Sequence, residues 1–84
     1  MEDLKLDGNA IGGVMLELFG SDMTVAESIC GSCGAHGEIA RLDVYTGAGL
    51  VVRCSSCEAV MIRIVQGRGR TWIDLSGTAS LALG

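Results

Sequence analysis

The sequence predicts a small metal-stapled α+β fold, in which an N-terminal helix is followed by an antiparallel sheet of about five strands. Three observations carry that reading. Four cysteines form two short clamps, Cys30-Gly31-Ser32-Cys33 and Cys54-Ser55-Ser56-Cys57, with 20 residues between them. Two residues between paired cysteines let a tight turn aim both sulfurs at one ion. Apolar residues recur with helical spacing before the first clamp and with strand spacing from residue 24 onward. The chain is 84 residues long and has no proline. At that size an apolar core alone is marginal, so a metal shared by both clamps would be a stability requirement.

The elements follow in order. Asp7-Gly8-Asn9 reads as a turn, with Asn9 placed to cap a helix over residues 9–19. Ile11, Val14, Met15, Leu18 and Phe19 fall on one stripe of that helix, and Gly20 supplies its left-handed stop. Gly12-Gly13 weakens it by up to about 1 kcal/mol per glycine, so the helix depends on packing, and the bare backbone allows close approach to a sheet. From Thr24 the period shifts to two, and Val25, Glu27 and Ile29 read as a strand entering the first clamp. Glu38–Thr46 is a second strand, Gly47-Ala48-Gly49 its turn, and Leu50–Arg53 a third strand that delivers Cys54. Ala59–Gln66 and Arg70–Leu75 form a last hairpin around Gly67-Arg68-Gly69. Residues 76–84 are uncharged and read as a short turn or strand, or a fraying end. The whole is expected to be a single domain, 1–84, with a helical segment 1–23 packed on 24–75 and a tail 76–84.

Only Phe19, Tyr45 and Trp72 are aromatic, so the core must be built from Leu, Ile, Val, Met and Ala. Structural zinc contributes about 10–16 kcal/mol of apparent binding free energy in finger peptides, comparable with the whole stability of a small domain. Chelation is therefore expected to unfold most of residues 25–75.

Composition narrows the setting. The start, Met1 to Lys5, is acidic and no continuous apolar stretch follows it, so secretion is not expected. No segment approaches the roughly 20 apolar residues of a membrane helix. In an exported chain four cysteines would allow three disulfide connectivities, whereas a reducing cytoplasm favours thiolates and metal. The net charge of −4 would become about −6 with four thiolates around a dication, which opposes general nucleic-acid affinity. Charge is uneven, however: residues 1–43 hold eight acids and two bases, while 44–84 hold two acids and four arginines.

Cys30, Cys33, Cys54 and Cys57 are the candidate metal ligands. Four thiolates fill a tetrahedral shell and leave no position for water or substrate, so the site points to structure rather than activity. A rubredoxin-type iron site needs the same sulfurs, and the aromatic-poor core argues for Zn2+ over iron. Thioredoxin-like chemistry needs a clamp before a helix, and neither clamp stands there. His36, three positions after Cys33, is read as a partly exposed residue beside a completed sulfur set. No Ser/His/Asp set or partnered carboxylate pair stands out, so no enzyme activity is expected. Arg68, Arg70 and Trp72 alternate, and with Arg53 and Arg63 they could form a nucleic-acid contact surface on which an unpaired base stacks. A simple hairpin register instead sets Trp72 beside Ile62 and Ile64, in the core. The helix stripe is expected to cover the chain's own sheet. Met61 and Val65 alternate with Val60, Ile62 and Ile64, so both faces of the fourth strand are apolar, and any area left exposed would mark a partner.

The clamps, their glycine-bearing knuckles and the hairpin pattern over residues 25–75 resemble the zinc-ribbon fold. More closely, Leu6-Asp7-Gly8-Asn9-Ala10-Ile11-Gly12-Gly13, Phe19-Gly20-Ser21-Asp22-Met23-Thr24, the knuckle Cys30 to Gly34 and Leu50-Val51-Val52-Arg53-Cys54 resemble a family of short bacterial proteins of unknown function. The resemblance implies a stand-alone cytoplasmic protein with a four-cysteine zinc site and assigns no substrate or partner. The function expected is a non-catalytic structural zinc module that mediates protein–protein contacts, with homo-oligomers an open case. The alternative is nucleic-acid binding through the Arg/Trp surface, and the third class is an iron electron carrier.

Overall fold

The computed structural model describes residues 4–47 and 49–82; among them are one α-helix, three 3-10 turns and eight strands, arranged in two antiparallel sheets. A small α+β fold is thus present, but its order departs from expectation. A strand, β1 (Leu4–Asp7), precedes the helix and pairs with β4 (Asp43–Thr46) at the edge of the larger sheet. The acidic character of the N-terminus concealed it. The turn Gly8–Ile11 is 3-10, so α1 runs only from Gly12 to Phe19 and its N-cap position is Ile11, without a side-chain cap. The expected cap at Asn9 is therefore displaced. Gly20 ends the helix as expected, with φ 72° and its N–H bonded to the Leu16 carbonyl at 2.8 Å.

The expected long first and second strands are each broken by a 3-10 turn. Asp22 accepts bonds from the Thr24 N–H and hydroxyl, and this cap bends Met23–Val25 into a turn before β2 (Glu27–Cys30). A second turn, Ile39–Arg41, separates β3 (His36–Glu38) from β4. Both turns bury one side chain, Met23 and Ile39, so burial of these two residues overrides the alternation that suggested continuous strands. After β4 come β5 (Leu50–Arg53), β6 (Val60–Gly67), β7 (Arg70–Asp74) and β8 (Thr78–Ala82). The central Ala48 of the expected 47–49 turn lies outside the described residues.

The larger sheet has the order β1-β4-β5-β6-β7 and the smaller one β3-β2-β8. The tail thus supplies a strand of the smaller sheet: β8 pairs with β2, placing Ser28 opposite Leu81. The inner face of the larger sheet carries Val44, Val52, Ile62 and Ile64, aligned by the registers Val44↔Val52 and Val52↔Ile62. These join Ile11 and Met15 of the helical segment, Met23, Ile39, Leu42, Cys30 and Cys54 in one buried cluster. Each fully buried Ile, Met or Val contributes about 1.5–3 kcal/mol by transfer. The helix stripe enters this cluster, with Leu18 and Phe19 packed against it. Gly12 faces Thr24 of the Met23–Val25 turn rather than a strand.

Met61 sits where a bulge shifts the β5/β6 register, and it is buried although it falls between Val60 and Ile62. The connection from β7 to β8 lies across it. The Thr78 hydroxyl donates to the Met61 carbonyl at 2.9 Å, and a Cβ added to Gly77 would run into the Val60 carbonyl. Among the described residues no helix is long and apolar enough to cross a membrane.

Candidate metal centre

Each clamp is the turn of its own hairpin. The first joins β2 to β3 in the smaller sheet, and the second joins β5 to β6 in the larger one. The two turns are built alike. The Cys30 N–H bonds to the Ala35 carbonyl at 2.9 Å and the Gly34 N–H to the Cys30 carbonyl at 3.0 Å; the Cys54 N–H bonds to Ala59 and the Glu58 N–H to Cys54, both at 2.9 Å. The amides of Ser32 and Ser56 point at the first sulfur of each clamp, 3.4 Å from Cys30 Sγ and 3.3 Å from Cys54 Sγ. Such N–H···S bonds stabilise negative sulfur. The residue after each clamp is left-handed: Gly34 at φ 77° and Glu58 at φ 65°. Glycine takes this conformation freely, whereas a side chain there costs about 1–3 kcal/mol.

The two hairpins bring all four sulfurs within 4.8 Å of one another. Cys30 Sγ lies 3.7 Å from Cys57 Sγ, and Cys33 Sγ 3.7 Å from Cys54 Sγ. A tetrahedral site with metal–sulfur bonds of about 2.3 Å has sulfur–sulfur edges of about 3.75 Å. The donor set therefore fits a four-coordinate thiophilic ion, and 3.7 Å is too long for a disulfide, whose sulfurs stand about 2.05 Å apart. Cys30 and Cys54 belong to the core, while Cys33 and Cys57 face outward. The site thus lies at the seam between the two sheets, with one side against the core.

Without an ion the sulfurs compete for protons. Amides turned in from Cys33 and then Ser32 hold the Cys30 thiol down at about 6. At Cys33 an amide bond from Ala35 acts downward, but the neighbouring Cys57 sulfur, burial and the Cys54 and Cys30 sulfurs together push it up to about 12. At Cys54 burial acts upward, yet the amides of Cys57 and Ser56 outweigh it and the thiol is lowered. One sulfur of the first clamp is thus favoured as thiolate while its neighbour keeps a proton, and a bound dication would remove that conflict by taking all four as thiolates.

The other sequence-singled residues lie elsewhere. His36 is exposed on β3 opposite Ile29 and is not part of the sulfur cluster. Arg53 donates from Nη1 to the Glu58 carbonyl at 3.0 Å, bracing the second clamp, and its guanidinium carbon stands 5.7 Å from the centre of the Tyr45 ring. Arg63 is exposed and pairs across the sheet with Asp74. Arg68 is exposed at the tip of the β6–β7 turn. Arg70 lies with its guanidinium carbon 5.9 Å from the Trp72 ring centre.

Trp72 is not in the core: it is 52 % exposed. The β6–β7 turn holds two residues, Arg68 and a left-handed Gly69, so that Gly67 faces Arg70 and Trp72 faces Val65. The expected three-residue turn would have slipped the register by one and reversed every face. Ile73 takes the place beside Ile64 instead. Sequence reasoning also passed over Tyr45, whose neighbour Val44 points inward while it points out. The alternation of β4 was the available signal.

The profile of a family of unknown function (DUF6510) matches residues 2–84. No curated protein and no solved structure matches the chain.

Proposed function

We propose that this chain, which belongs to the DUF6510 family of unknown function, is a non-catalytic binding module stapled by one structural zinc ion in a zinc-ribbon arrangement. The observation that carries the reading is the convergence of four thiols, two from a turn of each sheet, within 4.8 Å of one another and with two edges of 3.7 Å. Cys30, Cys33, Cys54 and Cys57 would hold the ion, which supplies a closed shell that ties the sheets and leaves no position for substrate. Zinc is favoured over iron by a core without an aromatic residue among its buried members, since the four thiolates suit either metal. The setting that fits four reduced thiols is the cytoplasm of a bacterial cell. Activity then resides in the surface that the staple holds rigid.

Elemental analysis of protein purified without added metal tests this reading. One zinc per chain with no visible colour is expected. A red protein containing iron would replace the metal, and a metal-free protein with unchanged melting in chelator would remove the reading altogether.

A further inference from the structure

We infer that the outer face of the larger sheet is a binding surface for single-stranded nucleic acid. The inference deepens the binding-module reading and rests on it, because the β5–β6 hairpin that carries Arg53 and Arg63 ends in the second clamp. Four observations converge on this face. Cross-strand register places Tyr45, Arg63, Val65 and Trp72 on the side opposite the core. Two of the molecule's three aromatic rings stand there, each with a guanidinium near it: Arg53 at 5.7 Å from Tyr45 and Arg70 at 5.9 Å from Trp72. Between them lies a shallow hollow of about 360 Å³ bordered by Tyr45, Arg63 and Val65, at the lower end of ligand-pocket sizes. All four arginines of residues 44–84 lie on this sheet or at the tip of its β6–β7 turn, although the chain as a whole is acidic.

Charge and ring chemistry together select the partner. A cationic face on a protein of net charge −4 is complementary to an anion. An acidic peptide would satisfy the arginines but gives the exposed indole nothing to stack on. A single strand supplies phosphates for the guanidinium groups and unpaired bases for the rings. Tyr45 and Trp72 are three strand spacings apart and offset by two residues along the strands, about 16 Å in all, so that two bases separated by intervening nucleotides can be received on a surface that a paired duplex could not stack against. Asp74, opposite Arg63, and Asp43, opposite Arg53, offset part of the charge, leaving about two effective phosphate contacts.

Trp72 is the only tryptophan, so its fluorescence reports the site directly. The test is titration of the zinc-loaded full chain with labelled twelve-nucleotide oligo-U and oligo-dT, read by tryptophan quenching and by anisotropy. Saturable quenching is expected, with affinity falling as salt rises at a log–log slope of about −1.4. Trp72→Ala should weaken binding roughly 5- to 150-fold while Trp72→Phe restores most of it, and Arg70→Ala should reduce the slope by about 0.7. Zinc content and circular dichroism of the same samples separate the two levels. A folded, zinc-loaded protein that gives no quenching at low salt, or that binds oligo-glutamate or a duplex as tightly as a single strand, overturns the inference and leaves the metal reading intact. A chain that carries no metal overturns the metal reading instead.

Discussion

Replacing Cys57 by serine isolates what the metal contributes. Cys57 is exposed, whereas Cys54 is buried at 2 % exposure and accepts an amide bond from Ser56. Cys57→Ser therefore removes a ligand with little loss of packing. Two of the four cross-clamp sulfur edges are equal at 3.7 Å and the two knuckles share one hydrogen-bond pattern, so the thiolates are treated as equal contributors. Dividing about 10–16 kcal/mol of apparent zinc binding among four ligands gives about 2.5–4 kcal/mol each, or roughly 70- to 900-fold in affinity. For a domain of this size that corresponds to a fall of about 10–30 °C in Tm for the zinc-loaded protein. The assays are competition with a chromogenic chelator and thermal unfolding followed by circular dichroism, with zinc and in excess chelator. In chelator, wild type and Cys57→Ser should become indistinguishable, both without the folded transition of residues 25–75, whereas in zinc Cys54→Ser should melt below Cys57→Ser through lost packing. If Cys57→Ser melts with wild type in zinc, or keeps the same deficit in chelator, then the sulfur cluster does not act as a metal staple.

Three further outcomes are expected. Glu58→Gly should raise stability by up to about 1 kcal/mol and Gly34→Ala should lower it by about 1 kcal/mol, because only glycine takes the left-handed angle after each clamp freely; denaturant midpoints check both, and equal effects of the same sign would refute the shared knuckle geometry. Gly77→Ala should destabilise by about 3 kcal/mol, since the new Cβ meets the Val60 backbone carbonyl rather than a side chain that can yield, and a melting point equal to wild type would show that the β7–β8 crossing sits farther from β6. Asp22 and Asp74 should titrate below ordinary carboxylates, held down by bonds from the hydroxyls and amides of Thr24 and Ser76, with Arg63 also acting on Asp74. Their contribution to stability is then complete above the ordinary carboxylate value and lost as pH falls through the lowered ones; carboxyl NMR titration of the zinc-loaded protein checks this, and ordinary values at both positions would contradict it.

The four ligands were legible because clamp spacing is a local property: two intervening residues fix which sulfurs a turn can aim together, whatever the rest of the chain does. Three strand segments, Leu50–Arg53, Ala59–Gln66 and Arg70–Leu75, were also legible to within a residue or two, since β-branched residues and bounding glycines mark them. The breaks at 23–25 and 39–41 were not, because the alternating pattern continues through them and only burial of Met23 and Ile39 forces the turn.

Local spacing and composition already specify the donor set, the acidic balance and the apolar stock from which the core is made. Tertiary structure decided that the clamps belong to different sheets, that the uncharged tail closes the smaller one, and that Trp72 faces outward. The last of these turned on one residue of register at the Arg68-Gly69 turn. Side chains alternate with a period of two, so a shift too small to see in composition or spacing exchanges the buried face of a strand for its exposed one.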